Sequence, residues 1–257
     1  MGIINITPDS FYAGSRIQEI KGVLLQAEKM LEEGATFLDI GGYSSRPGAK
    51  DISAEEELSR VVAPIEAIAK EFPEAYLSID TFRSTVAKEA VAYGAHIVND
   101  ISAGLLDDDM LQTVGNLRVP YIGMHMKGAP QTMKEMSDYD DLIREVALYF
   151  AERTAAAQAA GILDFIADPG IGFAKTADQS FEVLKHLEYF HDLGFTTLCG
   201  VSRKSLIYKS LNITPEAALN GTTVLNTVAL MKGVSLLRVH DVKPAMEAIN
   251  LINKVQI

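Results

Sequence analysis

The feature that most constrains the fold of this chain is a regular alternation of short apolar runs with longer segments whose apolar residues recur every three or four positions. Buried parallel strands joined by amphipathic helices produce this pattern. The runs predict eight strands, at 2–5, 36–41, 76–80, 96–100, 121–125, 165–168, 197–202 and 236–240. Helices are predicted after the strands, for example at 19–33 and 54–71, ended by Gly34 and Pro73.

Nearly every predicted strand ends on a polar residue. These residues are Asn5, Asp39, Asp80, Asn99 with Asp100, His125, Asp168, Ser202 and His240. Successive ends lie on average roughly 34 residues apart, which suits the βα unit of a (β/α)8 barrel. Because the carboxyl ends of barrel strands meet at one mouth, the polar residues would share one site there. We therefore predict an α/β fold, a single (β/α)8 TIM barrel domain over residues 1–257.

An open doubly wound sheet would also alternate strands with helices. If it bound a dinucleotide, a G-x-G-x-x-G turn should follow the first strand. The segment NITPDSF stands at that place instead, which favours the barrel.

Composition and charge exclude several functional classes. An apolar fraction of 48% and a charged fraction of 22% allow a large core and exclude a disordered chain. The formal net charge of -11 opposes binding to nucleic acids and to anionic membranes. Neither a signal pattern nor a membrane-spanning run of roughly 18 apolar residues is found. Cys199 is the single cysteine, so no intrachain disulfide can form. We expect a cytoplasmic protein with no nucleic-acid or membrane partner.

Two loops after the first strands have unusual compositions. The first, NITPDSFYAGS at 5–15, combines a Pro-Asp turn with two aromatic residues, and the second, GGYSSRPGAK at 41–50, combines three glycines with hydroxyl groups and an arginine. Backbone N–H groups, hydroxyls and a guanidinium suit a phosphate ligand. Ordinary surface loops remain the alternative for both segments.

Carboxylates, an amide and cations end the later strands. The motifs SIDT (78–81) and VNDIS (98–102) place a carboxylate beside an amide, which can read a heterocycle that offers N–H donors. Asp80 or Asp100 alone could instead cap a helix. In DPGIGFAKT (168–176), the proline holds the preceding Asp168 in an extended conformation. The motifs GVSRKS (200–205) and LRVHD (237–241) bring positive charge to the same mouth, while His125 could be either structural or a ligand contact.

Together these loops are similar to those of the dihydropteroate synthases, folate-pathway enzymes of the pterin-binding barrel family. The motifs that carry the resemblance cover the whole chain in the family's order: MGIINITPDSF, GGYSSRPGA, SIDT, VNDIS, GMHMKG, DPGIGFAKT, GVSRKS and LRVHDV. The resemblance implies a transferase that joins 6-hydroxymethyl-7,8-dihydropterin pyrophosphate to 4-aminobenzoate and releases pyrophosphate. It also implies Mg²⁺ as cofactor, sulfonamides as inhibitors, and a homodimer built on helices near the carboxyl terminus.

The resemblance further implies roles for individual residues. The residues implied in catalysis are Asp80, Asn99, Asp168, Lys204 and Arg238. The pterin would contact Asp80, Asn99, Asp168 and Lys204, with Ile101 and Met124 in the walls and Arg238 stacked on the ring. The pyrophosphate would contact Asn5, Ser45, Arg238 and His240, with Asn5 also the Mg²⁺ ligand. Aminobenzoate would contact Phe11, Ser45, Arg46, Pro47, Phe173, Ser202 and Lys204 once the first two loops close. Gly200 is also implied in substrate binding.

Two departures from the family pattern stand out. Tyr43 and Ser45 occupy positions where many members have an acidic residue and a threonine, and the usual segment before the first strand is not seen. Two other functions remain open. A methyltetrahydrofolate-dependent corrinoid methyltransferase would share Asp80, Asn99 and Asp168 but would not need the TPDSF and SSRPGA loops. A non-catalytic pterin-binding protein would keep the pocket for binding alone.

Overall fold

The computed structural model describes residues 1–6, 16–44, 51–128 and 136–255, with side chains except those of residues 16 and 17. The strands among these residues are β1 Gly2–Asn5, β2 Phe37–Gly41, β3 Tyr76–Asp80, β4 Ile97–Asp100, β5 Tyr121–Met124, β6 Phe165–Asp168, β7 Thr196–Cys199 and β8 Leu236–Leu237. The α-helices are α1 Arg16–Glu32, α2 Ala54–Glu71, α3 Ser84–Ala92, α4 Met110–Leu117, α5 Leu142–Ala159, α6 Ala177–Lys185, α7 Leu187–Asp192, α8 Ser205–Ser210, α9 Leu219–Met231 and α10 Val242–Val255. A 3-10 turn, Glu216–Ala218, precedes α9.

The eight strands form one parallel sheet in the order β1 to β8. The sheet closes on itself beside β8. Ile3 donates its backbone N–H to the Val239 carbonyl at 3.0 Å, and Val239 donates to the Met1 carbonyl at 2.9 Å. A parallel bridge between Gly2 and Val239 completes the closure. The predicted (β/α)8 barrel is confirmed.

Strands β7 and β8 are shorter than their apolar runs predict. The predicted strand at 197–202 ends at Cys199, and the predicted strand at 236–240 ends at Leu237. The chain turns directly after β7, where Lys204 donates its N–H to the Val201 carbonyl at 3.1 Å and Arg203 has a left-handed φ of 55°. A polar residue that follows an apolar run can therefore belong to the mouth loop rather than to the strand.

The alternation of side chains along the strands divides the barrel into a core and a mouth. Alternate residues such as Leu38, Ile79 and Cys199 are fully buried in the main hydrophobic core. A smaller cluster, Ile97, Ile122 and Leu198 with Met1, Phe37, Ile166 and Leu236 packed on it, is built from the intervening strand positions. This cluster fills the amino-terminal end of the barrel, and ligand sites of such barrels lie at the other end.

No helix among the described residues combines the length and the apolar character that crossing a membrane requires.

Candidate active site

A partly buried ionic network joins residues from four strands at the mouth. Arg238, directly after β8, donates from Nε to Asp39 Oδ2 and from Nη2 to Asp80 Oδ2, each at 2.6 Å. Asn99 Nδ2 donates to the same Asp39 oxygen at 3.0 Å. Burial raises the pKa of Asp80, and the Arg238 guanidinium opposes that rise. The network therefore holds one cation between two carboxylates, and it fixes the amide of Asn99 beside them.

A carboxylate and an ammonium of opposite charge lie near each other at the ends of β6 and β7. Asp168 is buried, and its Oδ1 accepts the Gly170 N–H at 2.8 Å. Lys204 donates from Nζ to the Ile171 carbonyl at 2.5 Å, and that nitrogen lies 4.5 Å from the centre of the Phe173 ring. Burial lowers the pKa of Lys204 to about 8, and Asp168 opposes this shift. Burial raises the pKa of Asp168, and Lys204 opposes that rise. Each charge therefore stabilises the other in the buried site.

An apolar wall stands beside these polar groups. Its buried members are Ile101, Met124, Met126 and Ala174, with Phe82, Leu106 and Phe173 packed against them. The cluster is separate from the main core, and it includes three residues whose contact with a planar ring the resemblance implies: Ile101, Met124 and Phe173. Carboxylates, an amide and a lysine next to an apolar wall are the elements of a site for a polar heterocycle.

Ser202 orients the imidazole of His240. Its hydroxyl oxygen accepts the His240 backbone N–H at 3.1 Å and lies 3.0 Å from His240 Nδ1. Gly200 leaves room between two cations, because a Cβ there would lie 3.8 Å from Lys204 Nζ and 3.9 Å from Arg238 Cβ. The loop after β7 therefore holds the His240 imidazole in place through Ser202. At Gly200 it leaves space for a ligand beside Lys204 and Arg238.

Asn5 ends β1 next to the carboxylate network. A Cβ at Gly41 would lie 3.7 Å from Asn5 Oδ1 and 3.4 Å from Asp80 Cβ, so the glycine allows these two side chains to lie close together. Among the residues that the structure describes, no group of three or more His, Cys, Asp and Glu side chains is arranged to hold a metal ion.

Several polar residues near the mouth have structural roles. All acceptor positions of Asp100 are engaged, by Ser102, Gly104 and Tyr121 at 2.6 to 2.7 Å. Asp100 thus stabilises its own loop and does not cap a helix, because α4 begins at Met110 with Asp109 as its N-cap. Arg203 pairs with Asp241 at 2.8 and 2.9 Å and donates to the Pro215 and Glu216 carbonyls, so only the second cation of GVSRKS joins the site. The buried His125 contacts a lysine, Lys175, as described below.

The structure brings together ten of the residues implied for the site: Asn5, Asp80, Asn99, Ile101, Met124, Asp168, Phe173, Ser202, Lys204 and Arg238, with Gly200 and His240 alongside. Four others, Phe11, Ser45, Arg46 and Pro47, lie outside the described residues. The sequence placed Asp39 among the polar residues of the mouth but predicted no contact for it, although it accepts from both Arg238 and Asn99. Its position offered a signal, because a carboxylate in the middle of an apolar strand requires a buried partner.

The profile of the pterin binding enzyme family matches residues 1–240. The chain belongs to this family. Among pterin-binding enzymes, the dihydropteroate synthase of Escherichia coli K12 is 41% identical over 254 residues, which cover 98% of this chain and 89% of that relative.

Solved structures of the family show the same barrel. The dihydropteroate synthase of Yersinia pestis, in complex with a sulfonamide drug, superposes with a TM-score of 0.93 at 38% identity and covers 100% of this chain and 93% of that one. The dihydropteroate synthase of Xanthomonas albilineans with 4-aminobenzoic acid superposes with a TM-score of 0.92 at 39% identity. The match covers 100% of this chain and 92% of that one.

Proposed function

We propose that this pterin-binding enzyme is a dihydropteroate synthase, which condenses 6-hydroxymethyl-7,8-dihydropterin pyrophosphate with 4-aminobenzoate to 7,8-dihydropteroate and pyrophosphate. The observation that carries the proposal is the pairing of buried carboxylates with Asn99 and Lys204 beside an apolar wall. Relatives that cover nearly the whole chain and bear this enzyme's name support it.

The pterin would bind between the Arg238 network and the side chains of Asp168 and Lys204. Its aminopyrimidine edge offers N–H donors that suit the carboxylates of Asp80 and Asp168, while Asn99 and Lys204 can donate to its carbonyl and ring nitrogens. Ile101 and Met124 would contact its faces. A buried carboxylate that lacks these donors is left unpaired, so this edge is the part of the ligand that the site discriminates most strongly.

The pyrophosphate would leave toward the polar side chains at the ends of β8 and β1. Arg238 and His240 lie after β8, and Asn5 ends β1, so these three side chains suit the developing charge. Mg²⁺ favours oxygen ligands and is often held by one or two protein groups together with phosphate oxygens and water. The single amide oxygen of Asn5 fits such a shared arrangement, in which Mg²⁺ would neutralise part of the leaving group's charge.

The reaction would proceed by an SN1-like displacement. The bond between the methylene carbon and the pyrophosphate oxygen breaks with the electron pair on oxygen, and the electron-rich dihydropterin stabilises the carbocation. Asp80 and Asp168 stabilise this positive charge electrostatically. The arylamine nitrogen of aminobenzoate then bonds to the methylene and loses a proton to water. This route needs no protein nucleophile. The predicted contacts of aminobenzoate with Phe11, Ser45, Arg46 and Pro47 stay predictions.

An assay of pyrophosphate release with and without 4-aminobenzoate tests this function. We expect release to match the 7,8-dihydropteroate formed, and a sulfonamide to compete with aminobenzoate rather than with the pterin. A binding-only protein would take up the pterin pyrophosphate and release nothing. A corrinoid methyltransferase would also release nothing, and it would consume methyltetrahydrofolate instead.

Replacement of Asn5 or His240 with Ala should weaken the handling of pyrophosphate. Because each side chain faces the leaving group, we expect either variant to need more Mg²⁺ for half-maximal turnover and to lose about 10-fold in kcat/KM at limiting Mg²⁺. Matched controls are Asn116→Ala and His191→Ala, whose side chains are exposed on α4 and α7. Normal turnover of both site variants at limiting Mg²⁺ would show that the leaving group lies elsewhere.

We also propose that the chain forms one domain that acts in the cytoplasm as a homodimer, without nucleic-acid or membrane partners. The net charge of -11 supports the absence of a nucleic-acid partner. Exposed apolar side chains on α9 and α10, namely Val224, Met231, Leu251 and Val255, support an interface near the carboxyl terminus. Sedimentation equilibrium measures the oligomeric state directly.

A further inference from the structure

The loop between β6 and α6 carries a lysine that the proposed reaction does not use. Lys175 directly precedes Thr176, the N-cap of α6. Its Nζ lies 2.8 Å from His125 Nδ1, 3.2 Å from the Phe173 carbonyl oxygen and 3.3 Å from the Gly170 carbonyl oxygen. An ammonium has three protons to donate, and these three acceptors match them in number.

Two of the three acceptors belong to residues that shape the active site. Gly170, whose carbonyl accepts from Lys175, donates its own N–H to Asp168 Oδ1 at 2.8 Å. Phe173, whose carbonyl also accepts from the lysine, places its ring 4.5 Å from Lys204 Nζ. A shift of either carbonyl would therefore move a group that contacts Asp168 or Lys204.

The third acceptor connects the loop to the end of β5. His125 donates its backbone N–H to the Asp168 carbonyl at 2.8 Å, and its ring packs edge to face on Tyr149 at 4.8 Å. Burial, followed by the nearby charges of Lys175 and Lys127, lowers the pKa of His125 to about 2. The imidazole is therefore neutral, and because an ammonium can only donate, Nδ1 accepts and the ring proton lies on Nε2.

The backbone of this loop needs such an anchor. Gly170 and Gly172 have φ of 67° and 80°, and Ala174, which has a side chain, has a φ of 47°. A non-glycine residue keeps a left-handed conformation only where surrounding contacts hold it there. The ammonium of Lys175 supplies contacts on both sides of this segment.

We propose that Lys175 is a positioning residue for the condensation: by holding the Gly170 and Phe173 carbonyls against His125, it sets the places of the Asp168 carboxylate and the Phe173 ring. It acts on turnover through these groups and does not itself touch the substrate. The inference rests on the proposed function.

The charged and titratable groups that face Lys175 predict a pH dependence. They are Asp168 after β6, Lys204 after β7, and His125 and Lys127 after β5. Burial lowers the pKa of Lys175 to about 7. Asp168 opposes this shift, and Lys204 and Lys127 reinforce it. The ammonium is therefore present below about pH 7 and is lost as the pH rises through that value, whereas Lys204 loses its proton near about pH 8.

Three variants test the proposal in the full chain, with turnover of 6-hydroxymethyl-7,8-dihydropterin pyrophosphate and 4-aminobenzoate measured from about pH 6 to about pH 9. Lys175→Met removes the donors and the charge, and we expect it to lower kcat/KM about 10- to 100-fold. Lys175→Arg keeps its charge over this range, so its activity should lack the step near pH 7 and begin to fall only near pH 8. Lys185→Met, exposed at the carboxyl-terminal end of α6, is the matched control and should behave as wild type.

Each result decides the question. Equal activity of Lys175→Met and Lys185→Met, or a Lys175→Arg profile that keeps the step near pH 7, would overturn the proposal. Thermal unfolding verifies that each variant is folded. If Lys175→Met does not fold, the comparison of Lys175→Arg with the wild type decides, since identical pH profiles of these two proteins contradict the inference. If the wild type forms no dihydropteroate, the proposed function itself is refuted. This outcome differs from a failure of the positioning role of Lys175, in which the wild type is active.

Discussion

Asp168→Asn is expected to lower kcat/KM by the equivalent of about 2 to 4 kcal/mol, comparable to the loss of a charged hydrogen bond in a closed site. The change keeps the size of the side chain but replaces one acceptor oxygen with a donor that would face the N–H groups of the pterin. It also removes the negative charge that opposes deprotonation of Lys204. The pKa of Lys204 should therefore fall further below about 8, and activity should decline at a lower pH than in the wild type.

The matched control for this prediction lies just before the same strand. Asp164 precedes β6 at the opposite end of the barrel, and its side chain is exposed. Asp164→Asn makes the same chemical change away from the mouth and should leave kcat/KM unchanged. Calorimetry of the pterin pyrophosphate with both variants separates binding from turnover. Wild-type affinity and rate in Asp168→Asn would remove that carboxylate from the pocket.

Arg238→Met should destabilise the protein and abolish most of its activity. Asp39 is fully buried, and without the guanidinium it and Asp80 would face each other as unpaired charges. Removing one partner of a buried ion pair costs about 3 to 5 kcal/mol. We expect a loss of about 3 kcal/mol in the free energy of unfolding at neutral pH, the low end of that range, because the mouth admits some water.

The pH dependence of this loss provides a second measurement. A carboxyl whose folded-state pKa lies above its unfolded value destabilises the fold when ionised, and acid relieves that cost. Burial already raises the pKa of Asp80, and removal of Arg238 should raise it further. Urea unfolding should therefore show a larger difference between Arg238→Met and wild type near about pH 8 than near about pH 5.

A second substitution and a surface control make this result specific. Asp80→Asn combined with Arg238→Met removes one of the two unpaired charges, so it should recover part of the lost stability. Arg144→Met, exposed on α5, should change the free energy of unfolding by less than about 0.5 kcal/mol. A difference between Arg238→Met and wild type that does not vary with pH would show that the ion pairs do not carry its stability.

The sequence alone determined the barrel and the position of its mouth. Hydrophobic periodicity is a local property, so strands and helices such as β3 and α2 follow from neighbouring residues. The parallel arrangement then requires that the polar residues after each strand meet at one end. Asp80, Asn99, Asp168 and Lys204 could therefore be assigned to one site before any contact between them was known.

Only the tertiary structure decided how these residues are paired. Asp39 and Arg238 lie 199 positions apart, and their ion pair depends on how β8 closes against β1 and on side-chain conformations. The same holds for Lys175, whose three acceptors come from two different loops. Asp100 ends a strand just as Asp80 does, yet its loop engages both of its oxygens. Local sequence patterns place a polar group at the mouth, but the folded chain decides whether another protein group or a ligand satisfies it.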